Sequence, residues 1–278
     1  MPSLNDCLET GPNLLPKIFE ILLRNRFKRY IIVGDIQKAF HQIEVDPEDR
    51  DAQRVLWYDD LNSKSVKEYR FTRVIFGATS SPYILNATVE KHLDRFKDNS
   101  GYADTIKDLQ LFTYVDDVSG GGDSPEDVKR FKREASTLLK TGGFHLYKWN
   151  SNVPEMDDQR DKTEAKVLGI QWDKTEDHFR VNCDTSQPEI LTKRKMLASI
   201  NATFDPLGWA GPYQITAKLL FGEVCRQGAS WDEALPETLC KDWLAYTQAL
   251  KRHPNVIVPR AVCTRPGSSS SCSNLPMH

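Results

Sequence analysis

"FTYVDDVSGGGDSPED", residues 112–127, sets two adjacent aspartates, Asp116 and Asp117, between an apolar run and a glycine run. Two like charges side by side repel by about 1 kcal/mol in water and by ~4 kcal/mol near a protein surface at close range. A divalent cation would offset that repulsion, and its other ligands must then come from elsewhere in the chain. Consecutive side chains of a strand face opposite sides, so only a turn after Asp116 brings both carboxylates to one site. The plainer alternative is a simple turn, which aspartate favours. Downstream, Ser124 to Asp127 spell a capping box with Pro125 at the first helical position. Val128, Phe131, Ala135, Leu138 and Leu139 then share one helical face, and Gly142 and Gly143 end the helix. The glycine run 120–122 lacks the G-K-[ST] ending of a phosphate-binding loop and reads as a flexible hairpin exit.

Working outward, "RYIIVGDI" (29–36) reads as a buried strand ending near Asp35. Residues 13–26 have helical spacing, with Asn13 as the N-cap. "VLWYDD" and "EYRFTRVIF" read as strands joined by the polar turn "DLNSKS". "SSPYILNATVEKHLDRF" reads as a helix with a serine cap and proline at its first position, and "LQLFTYV" as a strand. "KVLGIQWD" and "HFRVN" suggest a small hairpin. Helical stretches follow at 188–203, 212–227 and 235–251. A boundary is expected near residue 185, and the serine- and proline-rich stretch 263–278 is expected to be disordered. The order does not alternate as a parallel βαβ fold would. It predicts an α+β fold: an antiparallel sheet with packed helices and a helical appendage.

A chain of 278 residues with 39% hydrophobic and 27% charged content suits a globular protein. The net charge of −2 gives no bulk support for nucleic-acid binding, which must then rest on local patches. Basic clusters occur at 24–29, 129–133 and 193–195, each reading most simply as a solvated helix face. Six scattered cysteines without a C-x-x-C pair argue against a zinc site, and reduced intracellular thiols are the default. No apolar run reaches the length of a membrane span, and no signal peptide pattern opens the chain. Trp149, Trp172 and Trp209 could stack on bases, although packing is the simpler expectation.

If the strands bearing Asp35 and Asp116 are neighbours, the two carboxylates can share a pair of hard cations. Magnesium suits such oxygens, and two ions about 4 Å apart assist in-line phosphoryl transfer. "YVDD" with "DIQKAF" and "FGATSSP" closely resembles reverse transcriptases of long-terminal-repeat retrotransposons. "SLNDCLETGPNLL", "GGFHLYKWNSN", "KVLGIQWD" and "DPLGWAGPYQITAKLL" are similar to signature segments of the Bel/Pao group, and the resemblance runs from about Ser3 to Val262.

That resemblance implies a right-hand polymerase fold. Residues 1–185 would form the palm with partial fingers, 186–262 a helical thumb or connection, and 263–278 a divergent tail. It implies RNA-directed DNA polymerase activity on a primed RNA or DNA template, with deoxynucleoside triphosphates as substrates. Two Mg2+ ions (Mn2+ as a substitute) are the implied cofactors. An inactive remnant that at most binds nucleic acid is the alternative, and an unrelated two-metal phosphatase or nuclease a remote one. Asp35, Asp116 and Asp117 take the metal-ligand positions. Phe40 takes the position of the bulky residue under the incoming sugar. Gly77, Ser81 and Pro82 match the motif beside template and incoming base, with Phe76 where some relatives carry glutamine. Lys148 matches the lysine thought to protonate the leaving pyrophosphate, and Leu168 and Gly169 match the primer-grip hairpin. The implied location is intracellular, in the cytoplasm or a virus-like particle, with no membrane association; the oligomeric state is left open. Relatives carry further fingers sequence upstream and a ribonuclease H region downstream, so the chain is expected to be a fragment that polymerises poorly alone.

Overall fold

The computed structural model describes residues 2–262 except 61 and 63, and the stretch 263–278 expected to be disordered lies outside them. The chain forms two compact units. One comprises residues 1–21 and 30–163, the other 22–29 and 164–278, so the expected boundary at 185 falls inside the second.

The first unit holds α1 (Leu4–Cys7), the start of α2 (Ile18–Arg26), β1 (Tyr30–Ile36), β2 (Arg54–Asp60), β3 (Ser65–Arg70), α3 (Ser81–Asp94), α4 (Ala103–Phe112), β4 (Thr113–Tyr114), β5 (Asp117–Gly122), α5 (Pro125–Thr141) and β6 (Leu146–Ser151). Its sheet has the order β4-β5-β1-β6, and the pairings are antiparallel. Ile32, Ile36 and Val118 from the strands meet Leu85, Val89 and Leu93 of α3 and Phe131, Leu138 and Leu139 of α5 in one core. Complete burial of each such side chain contributes about 1.5–3 kcal/mol. The capping box of α5 forms as read: the Ser124 hydroxyl accepts from Asp127 N–H, and the Asp127 carboxylate accepts from Ser124 N–H.

The glycine run is not a flexible exit. Gly120, Gly121 and Gly122 lie inside β5, paired with Ile32, Ile31 and Tyr30 of β1. A Cβ on Gly120 would stand 2.5 Å from the Phe131 ring, and one on Gly121 would stand 2.0 Å from the Tyr30 carbonyl oxygen. The missing side chains let α5 lie directly on the strand.

Four element expectations also change. The first long helix starts at Ile18, not at residue 13. Pro16 disfavours helical backbone in the residue before it, and Asn13 instead accepts from Leu15 N–H in a local turn. "LQLFTYV" is mostly the end of α4; Ile106, Leu109 and Phe112 are buried at helical spacing, and only Thr113–Tyr114 is extended. α3 begins at Ser81 with Pro82 at its second position, and Ser80 makes no side-chain cap. Neither strand of the β2–β3 hairpin holds a buried residue, and the second stops at Arg70, short of the expected Phe76.

In the second unit, β7 (Glu164–Val167), β8 (Ile170–Asp173), β9 (His178–Asn182) and β10 (Asn255–Pro259) form an antiparallel sheet in that order, larger than the hairpin expected. Helices α6 (Lys193–Ala202), α7 (Gly211–Arg226) and α8 (Glu237–Lys251) pack through Met196, Ala217, Val224, Leu239 and Trp243. Among the described residues no helix is long and apolar enough to cross a membrane.

Candidate active site

Asp35 on β1 stands directly opposite Asp117 on β5. Tyr114 pairs with Asp117 across the β4–β5 hairpin, which leaves Val115 and Asp116 as its turn. Tight hairpin turns matched to strand twist need positive φ at the first central residue, and Val115 has φ 56°. For a β-branched side chain that conformation costs on the order of 1–3 kcal/mol. The turn is held by Ile36 N–H, which donates to the Asp116 carbonyl at 2.8 Å. Asp116 thus sits in the turn instead of ending a strand, and the reversal precedes Asp117. Asp35 and Asp117 thus come opposite each other in the register, with Asp116 in the adjoining turn, by a route other than the one read from the sequence.

The crowding shows in the acidities. Burial pushes the Asp116 carboxyl above its ordinary value and the Asp35 charge adds to the rise, while a hydrogen bond from its own backbone opposes it. Asp117 is pushed up to about 7, by desolvation first, then by the charges of Asp116 and Asp35 and a hydrogen bond with the Asp35 carboxyl. Asp117 still reaches solvent, so its desolvation comes from protein crowding one side of the carboxyl. The groups that shift it include no lysine or arginine. Uncompensated carboxylate oxygens are the donors that hard divalent cations take, so these residues fit such an ion by chemistry. Their geometry is not pre-formed: among the described residues no three carboxylate, imidazole or thiol groups converge to hold one ion.

On the other side of β1, Asp35 faces Tyr147 of β6. The register shifts between Val33 and Asp35, and the extra β6 residue falls at Lys148–Trp149. Lys148 has φ 53°, is exposed, and holds its Nζ 4.7 Å from the Tyr147 ring centre. Bulges often re-aim side chains beside functional sites. Tyr147 and Val115 escaped the sequence reading. A two-residue hairpin rule applied to "TYVDDV" would have singled out Val115; nothing local marks Tyr147.

Phe40 lies in the short 3-10 turn 39–42 that follows β1, and is 6% exposed within the core. Its ring meets that of Phe76 edge-on at 4.8 Å, and His41 meets Phe76 at 5.3 Å. Phe76 is 60% exposed. Gly77 has φ 89° and its carbonyl accepts from the Asn5 side chain. Ser81 is buried and donates to the Ile75 carbonyl, so its hydroxyl is already used; Pro82 opens α3 and its carbonyl accepts from Asn86. Leu168 and Gly169 form the tight β7–β8 turn, with φ 48° and 91°, and belong to the second unit.

Trp149 and Trp172 are buried, and Trp209 carries the Arg26 guanidinium at 5.1 Å, so packing accounts for all three. Acids engage the clusters at 129–133 and 193–195 through Arg130–Asp127, Lys132–Asp158 and Arg194–Asp232.

The reverse transcriptase (RNA-dependent DNA polymerase) family matches residues 2–171, more than half of the chain. The Pao retrotransposon-like RNaseH-like domain family matches residues 192–275. No curated protein matches the chain.

Proposed function

The chain belongs to the reverse transcriptase family, of the Bel/Pao retrotransposon type, and from that premise we propose that Asp35, Asp116 and Asp117 form the centre at which a primer is extended by two-metal phosphoryl transfer. The observation that carries the proposal is the register pairing of Asp35 with Asp117 beside the turn that holds Asp116. In the reaction the primer 3′-OH gives up its proton to solvent as its oxygen forms a bond to the α-phosphorus of a deoxynucleoside triphosphate. The bond from that phosphorus to the bridging oxygen breaks, and pyrophosphate leaves. Mg2+, or Mn2+ in its place, would be held by the three aspartates and would supply charge stabilisation at the reacting oxygens.

The chain's own residues do the rest. The Ile36–Asp116 backbone bond fixes the turn, and the strained Val115 would present Asp116 toward Asp35. Phe40, buried with the exposed Phe76 edge-on over it, would stand under the incoming sugar once Phe76 moves aside, where a ring leaves no room for a 2′-OH. The Gly77 backbone would lie beside the base pair being formed, with Ser81 and Pro82 shaping the start of α3 behind it. Lys148, on the bulge next to the Asp35 partner Tyr147, would give a proton to the leaving pyrophosphate. Leu168 and Gly169 would pack against the primer end. Residues 1–185 would serve as palm and partial fingers and 186–262 as thumb or connection, a segment most of which the RNaseH-like domain family also matches. A primed RNA or DNA template and deoxynucleoside triphosphates would be the partners, in an intracellular setting.

The second reading, a remnant that at most binds nucleic acid, draws on the carboxylates that do not converge. Primer extension with and without Mg2+ separates the two: metal-dependent incorporation supports the first, and template binding without incorporation supports the second.

A further inference from the structure

The segment "SLNDCLETGP", residues 3–12, has no role in the chemistry above, yet it makes an unusual contact. The Asn5 carboxamide bonds reciprocally to the loop that follows Phe76. Its Nδ2–H donates to the Gly77 carbonyl at 2.9 Å, and its Oδ1 accepts from Thr79 N–H at 3.0 Å. A side-chain amide here takes the place of a strand partner for Gly77 and Thr79, while the Ala78 carbonyl between them accepts from Ser81 N–H. The short helix α1 that carries Asn5 is fixed by its own capping box, with Ser3 and Asp6 bonded to each other through backbone and side chain. Farther along, Gly11 sits so close to α3 that a Cβ on it would be 2.5 Å from the Tyr83 ring. Segment 3–11 is therefore a strap anchored at both ends over residues 77–83.

Between the anchors, packing does little. A cavity of about 400 Å3 lies under the strap, walled by Leu4, Leu8, Val45, Ile75, Ala78 and Ser81. The Thr79 hydroxyl is buried without a partner, so the loop is not held through that side chain either. Gly77 is in a left-handed conformation with open space around its Cα; the Ser81 hydroxyl closes the loop on the Ile75 carbonyl, and the two Asn5 bonds fix its outer part, Gly77 to Thr79, to α1.

We infer that Asn5 is a positioning residue for deoxynucleotide binding, acting through the Phe76–Thr79 loop. This rests on the proposed placement of Phe76 and Gly77 beside the incoming nucleotide. Asn5→Ala removes both bonds. Asn5→Asp keeps an acceptor for Thr79 but sets a second oxygen against the Gly77 carbonyl. In templated extension both variants should raise KM for the deoxynucleotide on the order of tenfold, below the hundredfold that a misplacement of about 1 Å can cost, with kcat within about twofold. Ser124→Ala, which removes the cap of α5, serves as the control for general destabilisation and should leave KM unchanged. Unchanged KM in Asn5→Ala, or an equal change in Ser124→Ala, overturns the inference. Amide exchange provides the readout that does not need activity: exchange at Thr79 should quicken roughly tenfold in Asn5→Ala, with the change confined to residues 76–80. If the wild-type chain does not extend a primer, the proposed catalytic reading fails by itself. The exchange result then decides whether Asn5 holds the loop, and unaltered Thr79 exchange refutes it.

Discussion

Arg260 is fully buried, and each of its guanidinium hydrogens is used. Nε and Nη2 donate to the two Asp177 carboxylate oxygens at 2.6 Å, Nη1 donates to the carbonyls of Asn25 and Lys28, and Nη2 donates to the carbonyl of Arg29, these last three at 2.7 Å. One side chain thus ties β10 and the β8–β9 turn of the second unit to residues 25–29. Arg260→Met keeps the apolar stem and removes the fork. Removing one partner of a buried pair costs about 3–5 kcal/mol. The Asp177 side chain is 26% exposed and keeps the Trp172 Nε1–H bond, which draws the loss toward the lower end. The three carbonyls left without their donor, at roughly 1 kcal/mol or more each, draw it back. The expected loss is about 4 kcal/mol for the second unit, a midpoint shift near ~2 M in urea at a slope of ~2 kcal/mol/M. Adding Asp177→Asn removes the stranded charge and should recover part of the loss. Urea unfolding followed by amide exchange at Val181 and Val256 measures it. A loss below about 1 kcal/mol, or no coupling between the two substitutions, would refute the account of Arg260 as the clamp of that unit.

Other outcomes follow from the same geometry. The folded pKa of Asp117, about 7, lies above its ordinary value of 3.8; the stability this group contributes is therefore full below pH ~4 and is lost as pH rises toward ~7. Thermal melts of wild type and Asp117→Asn between pH 4 and 8 should converge at low pH and separate at high pH, with the variant the more stable. Identical pH profiles would count against the crowded carboxylates. Phe40→Val should raise ribonucleotide use relative to deoxynucleotide use by tenfold or more, each ~1.4 kcal/mol of lost discrimination being tenfold; an unchanged ratio in a folded variant returns Phe40 to the core. Gly121→Ala drives a Cβ into the Tyr30 carbonyl and should destabilise the first unit by about 3 kcal/mol or prevent folding, whereas a wild-type melt would show that β5 can shift.

Legibility in the sequence follows the range of the interactions. α5 is readable because a capping box, a proline and a glycine stop are local chemistry, and β1 is readable because its apolar run is continuous. "LQLFTYV" misleads because a short apolar run fits a strand as well as the last turns of a buried helix, and the Ile106–Leu109–Phe112 spacing shows only when the upstream residues are included. The glycine run misleads because its small size serves the approach of α5, a tertiary fact. The three aspartates are readable as charges in search of a cation. Their register is not, since it depends on the turn at Val115 and on the β6 bulge at Lys148. Asn5 is the extreme case, because its two bonds span 72 and 74 residues of chain and no local pattern marks them.

The central claim is that Asp35, Asp116 and Asp117 act together in templated nucleotide addition. Its most direct measurement is extension of a DNA primer on an RNA template by equal soluble amounts of wild type and Asp116→Asn, with Mg2+, with Mn2+ and with chelator. The account predicts incorporation that requires the cation and falls by at least a hundredfold in Asp116→Asn while the melting temperature holds or rises, since a crowded charge is removed. Cation-dependent extension that survives Asp116→Asn at near wild-type rate would contradict it.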